Sequence, residues 1–142
     1  MVGHAHGMML PFFKGVATPL TAATADVATS ETTTSTTYTD LATSGPAVTL
    51  SPSDTKDHII AVGGDVINNT AGVRSHMSPS IAGAAAADVD SYANSGDGNN
   101  KNKAMFWTLA LAVASGSTHT CKYRVPSGTG TFFDRRIVAH TL

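Results

Sequence analysis

Apolar and polar positions alternate most clearly in the last third of the chain, where residues 104–142 read as three strands separated by two glycine-containing turns. In the middle strand Cys121, Tyr123 and Val125 share one face and Thr120, Lys122 and Arg124 the other, the period of two that a half-buried strand requires. In the strand before it, Met105, Trp107, Leu109, Leu111 and Val113 fall on one face, and this face, Trp107 included, is assigned to the core. A helical spacing through Met105, Leu109 and Val113 is also readable there, but the flanking turn signals favour a strand. Ser115, Gly116 and Ser117 supply a permissive reversal, Pro126 to Gly130 breaks the second pattern, and the run from Phe132 to Val138 resumes it. The expected product is an antiparallel meander.

Upstream, the threonine-rich stretch 24–50 predicts two or three short strands. Tyr38 and Leu41 point inward before the Gly45-Pro46 turn, and Val48 and Leu50 after it. Ile59, Ile60, Val62, Val66 and Ile67 then mark a long central strand, kinked or bulged at Gly63-Gly64. A strand over 73–81 is expected to pair with that predecessor through the Asn68 to Gly72 turn. The small-residue run after Ile81 fits either a helical turn or a thin strand, and 94–103 reads as a solvated loop. Residues 1–23 show no sustained period and are broken by Gly3, Gly7, Pro11, Gly15 and Pro19. They form an arm whose cluster Met8, Met9, Leu10, Phe12 and Phe13 is a candidate contact surface for a partner. The organisation predicted is an all-β, antiparallel β-sandwich over 24–142, jelly-roll-like, carrying an extended N-terminal attachment arm over 1–23.

A chain of 142 residues suits one sandwich and needs no disulfide framework. The lone cysteine, Cys121, falls on the apolar face of its strand and is expected to be a buried, inert thiol. Only 13% of residues are charged and the net charge is −1, which lacks the basic footprint that nucleic acid or an anionic membrane would demand. The start of the chain has no cationic signal region, and no apolar run approaches the roughly 20 residues of a membrane span. Low charge with abundant hydroxyl residues suits a β protein whose surface is hydroxyl-rich or covered by other subunits, which favours assembly.

No nucleophile elbow, phosphate loop, HExxH, CxxC or EF-hand pattern is present, and Gly128-Thr129-Gly130 lies between strands with no helix to follow. His4 and His6 form an HxH pair without a neighbouring carboxylate, and His58, His76, His119 and His140 are scattered, so no metal site is assigned. Asp54, Asp57 and Asp65, or Asp88, Asp90 and Asp97, lack the spacing of a calcium loop. Arg135 and Arg136 beside Asp134 suit an ion pair or a subunit contact better than a recognition site. No cofactor and no catalytic constellation are expected. A competing class is a carbohydrate-binding or hydrolytic module, which needs aromatic platforms and paired carboxylates. With Trp107 and Tyr123 assigned to the core, it has only Tyr92 and the 94–103 loop to draw on.

The stretches ETTTSTTYTDLATSGPAVTL, over 31–50, and KYRVPSGTGTFFDRRIVAHTL, over 122–142, resemble a family of small phage virion proteins with a TTSTTYTDLAT-GPxVT opening and a KYRV-GTGTF-NRRIxVxPL close. The chain departs from that pattern at Asp134, where the family has Asn, and at His140-Thr141-Leu142, where it has an apolar-Pro-Leu ending. The resemblance implies a jelly-roll-like sandwich carried on the virion as a capsid decoration protein, with a minor tail or fibre component, or a carbohydrate-binding adhesion module, as the alternative. It also implies a homo-oligomer, a trimer first, whose partner is the major capsid protein or another virion protein. The family pattern transfers no catalytic residue.

Overall fold

The computed structural model describes residues 20–52, 55–95 and 101–142, so the arm contact residues Met8, Met9, Leu10, Phe12 and Phe13, together with His4 and His6, lie outside the described residues. Nine strands are described: β1 (Ala22–Val27), β2 (Glu31–Thr33), β3 (Ala47–Leu50), β4 (Lys56–Asn68), β5 (Ser75–Ser80), β6 (Tyr92–Asn94), β7 (Asn102–Val113), β8 (Ser117–Arg124) and β9 (Gly130–Thr141). They make two antiparallel sheets packed face to face, an all-β sandwich. One sheet runs β1-β9-β4-β7, with β2 continuing the β1 edge of β9, and the other runs β3-β8-β5-β6. The small-residue run after Ile81 resolves into a loop that ends in a single 3₁₀ turn, Asp88–Asp90.

Burial follows the alternation where the sequence was strongest. Cys121 and Tyr123 of β8 face Ile60, Val62, Val66, Phe132 and Ile137 of the opposite sheet, Val125 just past the strand is buried too, and Tyr123 meets Phe132 edge to face at 4.9 Å. Leu41, Val48 and Leu50 are inward as expected, whereas Tyr38 sits half-buried on the outer surface, its hydroxyl donating to Asp88 at 2.9 Å. Cys121 is fully buried, and burial pushes its thiol up to about 12.

Three expectations about pairing and facing are corrected. The C-terminal third is not a meander: β7 and β9 lie in one sheet and β8 in the other, so each glycine turn carries the chain across the sandwich. Nor does β5 pair with β4, whose two edges are already taken by β7 and β9; β5 crosses over to lie between β8 and β6. Finally, Met105, Trp107, Leu109 and Leu111 face solvent, 58%, 65%, 48% and 68% exposed, and do not enter the core. Cross-strand partners in a ladder share a face. Since His58, Ile60 and Val62 of β4 are buried, their partners Ala110, Thr108 and Phe106 must turn inward, leaving the odd-numbered residues outside.

Two bulges then reset the alternation. Between Lys56 and His58 of β4, β7 carries one extra residue, with Ala112 at φ 51 and its N–H donating to Asp57 at 2.8 Å, so Val113 is buried although Leu111 is exposed. The irregularity expected at Gly63-Gly64 is present, but the extra residue belongs to the partner strand. Opposite Gly64, β9 bulges at Asp134, φ 43, and the flip brings both Phe132 and Ile137 inward. Gly64 is needed there, because a Cβ would stand 2.9 Å from the Phe133 carbonyl oxygen and 3.1 Å from Met77 Cε. The same bulge buries Arg135 completely. Its guanidinium pairs with Glu31 at 2.9 Å, donates to the carbonyls of Thr29 and Thr43, and lies 5.4 Å from the Tyr123 ring centroid.

Candidate docking face and polar cleft

The outer face of the β1-β9-β4-β7 sheet is built in rows by strand register. One row reads Ala22, His140, Ile59, Leu109; the next Thr24, Val138, Ala61, Trp107; the third Asp26, Arg136, Gly63, Met105. At the β7 edge the large apolar side chains stand over small neighbours, Ala61 and Gly63, so Trp107 and Met105 project with little beside them. A hollow of about 520 Å³ opens over Gly63, bounded by Met105, Lys103, Asp26 and Arg136. Asp26 and Arg136 form a hydrogen-bonded ion pair at its far side, which raises the Arg136 guanidinium above its usual range. Monomeric proteins seldom leave such a contiguous apolar row uncovered on an edge strand.

The outer face of the other sheet is polar. Thr120, Lys122 and Arg124 of β8 floor an open cleft of about 1090 Å³ between loop 36–40 and loop 82–88. Lys122 Nζ donates to Asp40 Oδ2 at 2.7 Å, and Asp40 Oδ1 accepts from the Ser44 hydroxyl at 3.0 Å. Arg124 grips Asp88 with two bonds, Nη2 to Oδ2 at 2.6 Å and Nε to Oδ1 at 2.9 Å. The Lys122 hydrogen bond holds the Asp40 carboxyl below its ordinary range, and those of Arg124 and Tyr38 do the same to Asp88. In the linear order Asp88 stands with Asp90 and Asp97 and the even-numbered residues of β8 form its polar side, and nothing there brings 40, 88 and 122–124 together.

Between the sheets, His58 Nδ1 of β4 and His119 Nε2 of β8 share a hydrogen bond of 2.8 Å, both rings fully buried. Ala82 N–H donates to His119 Nδ1 at 3.3 Å. Burial lowers both imidazoles, His119 to about 4. The pair has no solvent exposure, and among the described residues no three His, Cys, Asp or Glu side chains gather in a way that could hold a metal ion. Asp57 caps the β7 bulge, Asp65 lies 4.0 Å from Lys103, and Asp90 accepts from Thr108 at 2.7 Å. Tyr92 is half-buried, its hydroxyl accepting from Asn94. No protein-family model and no curated protein matches the chain.

Proposed function

We propose that this chain is a non-enzymatic structural subunit of a phage virion, a decoration protein that docks on the capsid surface through apolar contacts and stabilises it. The observation that carries the reading is the outward row Met105, Trp107, Leu109 and Leu111 on β7. Full burial of such a side chain is worth roughly 1.5–3 kcal/mol, so the exposed parts of these four bring about 4–7 kcal/mol. Association itself costs about 4–15 kcal/mol, so one copy on its row alone binds weakly and needs either more apolar contact or more copies.

The arm supplies the first. It enters the sheet at Ala22, in the same row as Leu109 and three strands away, about 14 Å. The roughly nine residues from Phe13 to Ala22 reach about 30 Å when extended, so Met8, Met9, Leu10, Phe12 and Phe13 can join β7 in one contact surface. A homotrimer supplies the second. The resemblance of 31–50 and 122–142 to phage virion proteins supports the major capsid protein or another virion protein as the partner, with no role for nucleic acid or membrane.

The test is co-sedimentation with particles that lack the protein. The double variant Trp107→Ser, Leu109→Ser and, separately, deletion of residues 2–19 should each lose retention on particles while melting as the parent does. Retention of both variants overturns the reading. Light scattering that returns one 14.5 kDa chain at high concentration rejects the intrinsic trimer.

A further inference from the structure

We infer that the cleft over β8 is a binding site for an uncharged glycan, a function additional to docking. Its two cations and two anions neutralise each other across short bonds, Lys122 with Asp40 and Arg124 with Asp88. An anionic ligand therefore finds no uncompensated positive charge, and a cationic one no uncompensated negative charge. What remains is hydrogen-bonding capacity held in fixed places. Arg124 spends two of its roughly five N–H donors on Asp88 and Lys122 one of about three on Asp40. The Thr120 hydroxyl stands beside them on the same strand face, and Thr36, Thr37 and Thr39 line the wall. Polyhydroxylated neutral molecules match that set, because each sugar hydroxyl both donates and accepts.

The walls offer the apolar half of sugar recognition. Ala84 to Ala87 form one side, and Tyr38 on the other lies with its ring 5.4 Å from the Arg124 guanidinium. The volume, about 1090 Å³, lies just above the usual span of small-ligand sites and suits a short oligosaccharide entering from solvent. Bonds to a rigid strand reduce the ordering cost of binding. The cleft lies on the opposite face of the sandwich from the β7 row, so a chain docked by that row presents the cleft outward.

The experiment uses the full chain on an array of neutral, sialylated and sulfated oligosaccharides, followed by calorimetry with the best neutral ligand. Thr120→Val removes one floor hydroxyl and keeps both ion pairs; Ala85→Trp fills the cleft from an exposed loop position. Each should weaken binding about tenfold or more with melting unchanged, while Trp107→Ser should leave it intact. That last control separates this site from the docking surface, since particle retention and glycan affinity then fail independently. Absence of binding at millimolar ligand, binding confined to charged glycans, or affinity untouched by Ala85→Trp would each overturn the inference.

Discussion

His58 Nδ1 and His119 Nε2 stand 2.8 Å apart with their rings at 87°, one from each sheet, a fully buried polar tie across the sandwich. Only one proton can lie between the two nitrogens, so at least one ring must be neutral. Burial lowers both, His119 to about 4, against about 6.5 in an unfolded chain. The unfolded state therefore binds more protons across this window, and stability rises with pH through it. It should be full above pH 6.5 and fall progressively towards pH 4, by on the order of 2–3 kcal/mol. Urea titrations at pH 7.5 and 4.5 measure the drop, and His119→Gln should flatten it. An unchanged slope in that variant rejects the histidine origin. Below pH 4 protonation of Asp40 and Asp88, both held low, adds a separate loss.

Among the described residues Glu31 is the only carboxylate paired with the buried Arg135, and against the opposing effect of burial hydrogen bonds from Thr43 with the Arg135 charge hold it low. Glu31→Ala leaves that guanidinium charged and unpaired in the core, at a cost of about 3–5 kcal/mol. Asp26→Ala, which releases the exposed Arg136, should leave the melting temperature nearly unchanged. Denaturant midpoints compare the two; equal effects would show that burial of Arg135 does not govern the pair.

Gly64→Ala places a methyl group 2.9 Å from the Phe133 carbonyl and 3.1 Å from Met77 Cε, so the backbone of the β9 bulge must shift to admit it. A loss of about 1–3 kcal/mol is expected. At Gly72 nothing lies within 4 Å of the added carbon, so alanine there pays only for its positive φ of 74. Thermal melting of the two variants should rank them in that order.

Trp107 is the single tryptophan and reports on β7 without interference. In the free protein its emission should be red-shifted and readily quenched by acrylamide. Addition of particles should shift it to the blue and protect it. A blue, protected tryptophan in the free chain would mean that the β7 face is already covered.

The β8 alternation, Cys121, Tyr123 and Val125, was fully legible because every second residue on one side is apolar and every one on the other is polar. The same rule misassigned β7. Periodicity states that Met105, Trp107, Leu109 and Leu111 share a side, not which side the core occupies, and that choice is made by His58, Ile60 and Val62 of β4. The departures at Val113 and at Phe132 depend on bulges at Ala112 and Asp134, neither of which is glycine, so no turn residue announced them. Strand partners were the least readable: β5 follows β4 closely yet belongs to the other sheet, because ladder choice depends on which edges distant strands have filled. The cleft was invisible for the same reason, its residues coming from loops far from β8 in the chain.

The placement of β9 has a consequence for the order in which the protein can be made. It sits between β1 and β4 and also carries β2, so the first of the described strands has its ladder partner in the last of them. A nascent chain leaving the ribosome can assemble parts of the β3-β8-β5-β6 sheet early, but the other sheet has no middle until residues 130–141 emerge. During that interval β4 and β7 can pair, with Trp107 and its neighbours exposed on one side and Ile60 and Val62 still uncovered on the other, the condition in which half-finished β proteins associate wrongly. Slow elongation through residues 130–141 should therefore lower soluble yield far more than slow elongation through β1 to β8.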